Sequence, residues 1–232
     1  MSSELLARIA RALGPLREEL IFTGGLVVDQ YSTVPALSGP RPTIDADVVC
    51  SATNYTEYMK VGSRLRDLGF TQPAELSPPP FRWIRGELTV DLIPVDASVL
   101  GFTNRWYAVG VERTIEVDLK PDLKIRLFDP VVFLATKLEA FASRGSRDPY
   151  ASHDLDDIVR LIATRPELVA EVADSPEILK AWIRGSLRAA LPISNEAQLL
   201  AAHLPFRLPP GLVDVLRERV SDLTSNDPQR IP

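Results

Sequence analysis

The chain has 232 residues, 45% of them hydrophobic and 25% charged, and a formal net charge of −5. Such a composition belongs to a folded globular protein and excludes the disordered and fibrous classes, while the acidic balance argues against a general polyanion-binding surface. No apolar run approaches the roughly 20 residues that span a bilayer, and the single cysteine, Cys50, excludes an internal disulfide framework and leads us to expect a reducing, cytoplasmic setting.

Taken in order, Leu5, Leu6, Ile9, Ala10, Leu13, Leu16 and Leu20 recur at helical spacing, with Arg8, Arg11, Arg17, Glu18 and Glu19 off that stripe. The pattern predicts an amphipathic helix, bent at Gly14-Pro15, that feeds a strand at Leu20–Thr23; it lacks the apolar core of a signal peptide. Gly24-Gly25 then turns the chain, which should run helical to about Tyr31. Glycines let a ligand approach the backbone closely, and N–H groups at a helix start favour an anion. Thr23, Gly24 and Gly25 are therefore candidate phosphate contacts. Prolines and Gly39 mark Ser32–Pro42 as a loop.

Thr43–Val49 reads as an extended segment. Residues two apart on a strand point the same way, so Asp45 and Asp47 would stand side by side, roughly 7 Å apart, with Ile44, Ala46 and Val48 turned to the core. Like charges set together destabilise a sheet unless a cation lies between them. A hard divalent ion such as magnesium suits carboxylate oxygens and keeps positions open for phosphate. Cys50, just after this strand, reads as a small core residue.

Asn54–Leu68 predicts a helix closed by Gly69, and proline-rich Gln72–Pro80 a loop. Phe81–Arg85, a turn at Gly86-Glu87, and Leu88–Val95 read as a hairpin. Within LTVDLIPV, Asp91 is a carboxylate among strand formers: either an exposed edge-strand aspartate or the third acid of a two-metal site. Asp96 is expected to cap. Trp106–Leu127 looks like further strands, turning at Pro121-Asp122.

From residue 129 the texture becomes helical. Asp129-Pro130 opens a helix on which Lys137 and Arg144 share a stripe, and Gly145 ends it. Ser152-His153-Asp154-Leu155-Asp156-Asp157 begins another, with acids at the positive end of the helix dipole. Ser175-Pro176-Glu177 opens a third, carrying the basic stripe Lys180, Arg184 and Arg188. Shorter helices follow near Glu196–His203 and Gly211–Leu223, and the last residues should fray. The fold class expected is α+β: a small mixed sheet with helices over residues 1–128, then an all-helical domain over 129–232.

Asp45, Asp47 and Asp91 could hold two magnesium ions across adjacent strands, with Asp91 the best-placed base for an incoming hydroxyl. Phosphoryl chemistry depends on positioning and charge compensation, so cations should complete the site. Lys137 and Arg144 are the candidates for that role, although each taken alone more often reads as a surface residue laid along apolar neighbours. Arg41 would balance the acidic strand.

Thr23-Gly24-Gly25, then Thr43-x-Asp45-x-Asp47, then Asp91 on a later strand resembles the DNA polymerase beta-like nucleotidyltransferase superfamily. Lys137-x-x-Ala140-x-x-x-Arg144 followed by His153-Asp154-x-x-Asp157-Ile158 is similar to the abortive-infection AbiEii-type members, with His153 standing where those proteins carry a basic residue. The resemblance implies magnesium, a nucleoside triphosphate, nucleotide transfer, and for the toxin members an antitoxin partner and RNA, including transfer RNA, as acceptor. Asp154 and Asp157 would either order Lys137 and Arg144 or serve only as helix-start acids. Two further readings stand beside this one. The first is transfer onto a small hydroxylated molecule, as in the similar aminoglycoside nucleotidyltransferases; the second is a non-catalytic nucleotide- or partner-binding protein. The overall acidity favours a small cationic acceptor, and the Lys180–Arg188 stripe favours RNA.

Overall fold

The structure, a computed structural model, describes residues 2–34, 43–74, 79–204 and 211–225. Arg41, the chain's last seven residues and much of the loops expected at Ser32–Pro42, Gln72–Pro80 and 205–210 lie outside the described residues. The fold is α+β. The chain forms two compact units, the first from Met1–Val27 and Pro40–Asp129, the second from Val28–Gly39 and Pro130–Pro232.

Among the described residues, the first unit is built on six strands: β1 (Ile21–Thr23), β2 (Asp45–Cys50), β3 (Arg82–Arg85), β4 (Leu88–Pro94), β5 (Thr114–Lys120) and β6 (Leu123–Phe128). They lie in the order β3-β4-β2-β1-β6-β5. The sheet is mixed: β2 runs parallel to β4 and β1 parallel to β6, while the remaining pairs are antiparallel. Helix α1 (Ser2–Ala12) packs on β4, β5 and β6 through an apolar stripe in which Leu6, Ile9 and Ala10 are fully buried. Burying each of the large side chains is worth about 1.5–3 kcal/mol. The expected bend is there: Gly14 takes φ +52° and a short 3₁₀ turn, Gly14–Glu18, leads to β1.

Helix α2 (Tyr55–Asp67) starts where Asn54 accepts the Glu57 N–H through its side chain at 3.0 Å, satisfying an otherwise orphaned helix donor. Gly62 in α2 lies flat against the Trp83 ring, where an added Cβ would come within 3.0 Å of Cζ2. Trp83, Val90, Leu92, Ala46 and Val48 are buried, and by strand alternation they share the sheet face that α2 covers. Ile44, expected in that core, is 77% exposed, because the strand begins only at Asp45 and no pleat directs the residue before it. Asp96 caps α3 (Ala97–Leu100) by accepting the Ser98 N–H at 2.8 Å. Trp106–Gly110, expected as strand, is instead the short helix α4. The Asn104 side chain accepts the Trp106 N–H at 3.1 Å, and the indole is buried. Cys50 closes β2 as a buried thiol, and burial pushes its pKa up.

The described part of the second unit is helical. It contains α5 (Pro130–Ala140), extended by a π-type turn Phe141–Gly145, then α6 (His153–Thr164), α7 (Leu168–Ala173), α8 (Glu177–Ala190), α9 (Glu196–Ala202) and α10 (Leu212–Thr224). Helix α5 is buried on nearly every side, with Val131 through Leu138 all in the core. It therefore acts as the hub against which α6, α7 and α8 pack. Tyr31 packs on Phe133 with ring centroids 4.6 Å apart and the planes tilted by 37°, and Arg160 pairs with Asp29 at 2.5 Å. Helix α7 was not marked in the sequence pattern; Leu168 and Val172 bury its one short apolar face.

Candidate active site

Strand pairing decides where the acids go. Asp47 of β2 is in register with Asp91 of the parallel neighbour β4, and with Thr23 of the antiparallel neighbour β1. Registered partners share a sheet face, and Asp45, two residues before Asp47, shares it too. Thr23, Asp45, Asp47 and Asp91 thus stand on one side of the sheet, opposite the face packed on α2. The separate strand segments that carry Asp45 and Asp91 meet here because β2 and β4 lie next to each other in the sheet order.

Gly24 follows Thr23 with φ +79°, in the left-handed region that other residues enter at a cost of about 1–3 kcal/mol. Its surroundings are equally restrictive. A Cβ at this position would lie 1.9 Å from Asp47 Oδ2, so the aspartate carboxylate rests directly on the glycine backbone. Gly25 opens a 3₁₀ helix, Gly25–Tyr31, where a helical run was expected.

The cation among these acids is one the sequence reading did not single out. Arg82 of β3 is in register with Asp91 across the hairpin. Its Nε donates to Asp91 Oδ1 at 2.8 Å and its Nη2 to Asp91 Oδ2 at 2.8 Å, the two-pronged geometry in which guanidinium–carboxylate pairs are strongest. The same Nη2 also donates to Asp45 Oδ2 at 3.1 Å. Asp91 is 5% exposed, so this pairing meets the cost of burying its charge. The hydrogen bonds to Asp91, with the nearby charges of Asp45 and Asp47, raise the Arg82 pKa further above an already high value. Thr43 Oγ1 donates to Asp45 Oδ1 at 3.3 Å. The signal was in the sequence: a two-residue turn at Gly86-Glu87 makes Arg85 oppose Leu88, and counting outward makes Arg82 oppose Asp91.

Three hard oxygen donors on one face match magnesium chemically. Among the described residues, however, no three histidine, cysteine, aspartate or glutamate side chains are drawn together as a metal cage. The position bridging Asp45 and Asp91 is taken by the Arg82 guanidinium.

In the second unit, Lys137 and Arg144 converge on acids of α6. Lys137 Nζ lies 2.7 Å from Asp157 Oδ2 and 3.3 Å from Asp154 Oδ1. Arg144 donates from Nε to Asp154 Oδ2 at 2.8 Å and from Nη2 to Oδ1 at 3.0 Å. Lys137, Asp154 and Asp157 are buried, whereas the Arg144 side chain is 71% exposed. Burial pushes the Asp154 carboxyl up, but the Arg144 hydrogen bond and the Lys137 charge outweigh it and hold the group below its ordinary value. Gly145 permits this approach, since a Cβ there would meet Ser152 Oγ at 2.4 Å, and Ser152 is the residue whose side chain caps α6. The basic stripe on α8 is also engaged. Arg184 donates to the Ser225 carbonyl at 3.0 Å and Arg188 to the Thr224 carbonyl at 2.6 Å, satisfying the C-terminal end of α10.

No helix among the described residues is long and apolar enough to cross a membrane. No protein-family model matches the chain, and no curated protein matches it significantly in sequence. Among solved structures, the fold is similar to the crystal structure of an antigenic nucleotidyltransferase-like protein from Paracoccidioides brasiliensis. The two chains are 18% identical, the match covers 87% of this chain and 92% of that one, and the TM-score is 0.50. At that identity the likeness concerns the fold: this chain has a nucleotidyltransferase-like fold.

Proposed function

We propose that the protein is a magnesium-dependent nucleotidyltransferase that moves a nucleoside monophosphate from a triphosphate onto an acceptor hydroxyl. The observation that carries this reading is the registered pair Asp47–Asp91, with Asp45 on the same face and Asp47 pressed against Gly24. Magnesium held by Asp45, Asp47 and Asp91 would neutralise triphosphate charge and acidify the acceptor hydroxyl. In the reaction, the acceptor oxygen bonds to the α-phosphorus, the bond to the bridging oxygen breaks, and pyrophosphate leaves. Asp91 takes the hydroxyl proton. Thr23, Gly24 and Gly25 let the triphosphate lie close to the backbone. The proposed chemistry rests on residues of the first unit. In the second unit Lys137 is engaged by two buried carboxylates, and Arg144 is the more exposed of the two cations expected to meet phosphate.

RNA is the acceptor that the AbiEii-type resemblance suggests, and with it a toxin role and an antitoxin partner. One observation favours a small hydroxylated acceptor instead: Arg184 and Arg188, two members of the stripe that argued for RNA, donate to the Ser225 and Thr224 carbonyls at the C-terminal end of α10. Incubating the protein and magnesium with each labelled nucleoside triphosphate, in the presence of an RNA pool or a pool of polyhydroxylated amines, separates the two. Label in RNA supports the first acceptor, label in a small product the second, and no transfer in either pool supports a non-catalytic nucleotide-binding protein. Asp47→Asn should lower transfer on the order of a hundredfold or more, the loss typical when one stabiliser of transition-state charge is removed. Unchanged transfer in that variant would sink the assignment.

A further inference from the structure

We propose that Arg82 is a gate on this site: its guanidinium is a resident counter-cation that a divalent ion must displace from Asp45 and Asp91 before the site can work. The inference rests on the reading above and adds to it how the site is switched between a closed and a loaded form.

The geometry makes the two cations rivals. Nη2 of Arg82 lies 2.8 Å from Asp91 Oδ2 and 3.1 Å from Asp45 Oδ2, so it bridges the two carboxylates at the place a shared ion would need. Nε occupies the other oxygen of Asp91. Without such a cation the three acids would face one another across neighbouring strands, a costly arrangement for a group as buried as Asp91. Arg82 thus lets the first unit fold with its acids assembled, and the same contact withholds them. Both oxygens of Asp91 accept from Arg82, so this carboxylate becomes available to an acceptor proton only when the guanidinium has swung away.

The surroundings permit that movement. β3 is an edge strand of the six-stranded order, bridged on its outer side by Thr71 at Ile84, and the Arg82 side chain is 34% exposed. A rotation about its side-chain torsions carries the charge to solvent without breaking a strand pair. Because a guanidinium does not deprotonate in proteins, raising the pH cannot open this gate in the working range; a competing cation can.

The test measures Mn²⁺ binding to the full chain by electron paramagnetic resonance of the free ion. Wild type is compared with Arg82→Gln, Arg82→Lys and Arg82→Gln/Asp91→Asn, each checked for folding by circular dichroism and thermal melting. Arg82→Gln is expected to bind Mn²⁺ tighter than wild type on the order of tenfold, the scale of removing one or two charge-assisted hydrogen bonds. Arg82→Lys, which keeps the charge and loses the fork, should fall between them, and adding Asp91→Asn should reverse the gain. If wild type binds the ion and neither Arg82 variant binds it tighter, the gate is refuted while the metal-dependent reading stands. If folded wild type and both single variants bind no Mn²⁺, both are refuted. Should Arg82→Gln fail to fold, Arg82→Lys alone decides: tighter binding supports the gate and equal or weaker binding overturns it.

Discussion

Gly24 shows how narrowly one position can be constrained. Its positive φ and the Asp47 carboxylate resting on its Cα are separate demands, and alanine satisfies neither. Gly24→Ala should destabilise the first unit by about 1–3 kcal/mol from backbone strain, and displacing Asp47 should cost more transfer activity than the lost stability explains. A melting curve together with a rate measured well below the melting temperature separates the two effects. A variant with wild-type rate and stability would show that the contact carries no weight. The glycine pair was conspicuous in the sequence because nothing else bends the chain there. The carboxylate above it was not, since a packing contact between residues 24 and 47 leaves no local trace. Arg82 is legible only through the hairpin register, which sets it opposite the one acid among strand formers.

At the scale of elements, helices α5 and α6 are fastened by charge as well as by packing. Asp154 ionises below its ordinary range in the folded protein: burial works against the charge, and Arg144 and Lys137 prevail. A carboxylate whose folded pKa is depressed contributes stability above its unfolded pKa of about 3.9, and that contribution is lost as pH falls through the lower folded value. Wild type should therefore be more stable than Asp154→Asn at neutral pH, and the gap should close as pH drops below about 4. Thermal unfolding of both proteins from pH 7 to pH 3 checks the sign, and a gap that widened in acid would contradict it. Most element boundaries were readable because caps and turns are local: Asn54, Asp96, Ser152 and Gly86 each mark an end seen in the structure. Trp106–Gly110 was misread because aromatic and β-branched residues in a short run fit a strand or one buried helical turn equally well, and tertiary packing decided.

Across the whole molecule, the change of hydrophobic periodicity near residue 129 leads one to expect a single boundary there, whereas the compact units also assign Val28–Gly39 to the second. What periodicity does not encode is strand order. Residues 45 and 91 meet because β4 lies beside β2, a long-range choice made by the core as a whole. The basic stripe of α8 teaches the same lesson in reverse. As sequence it looked like a surface for a polyanion, yet Arg184 and Arg188 reach the far end of α10 and serve the fold.

The single thiol of the chain offers a clock for the molecule's breathing. Cys50 ends the strand that begins with Asp45, and it is buried with its thiol held in the unreactive protonated form. A disulfide reagent such as DTNB should therefore modify the native protein only in moments when this strand's end comes loose, at a pace set by that opening and not by reagent chemistry. Rapid labelling at the rate of a free thiol would reveal a strand far less secure than its pairing suggests. No engineered label is needed, and because the reporter sits five residues from the first acid, its reaction rate would register how firmly the sheet holds the carboxylates in place.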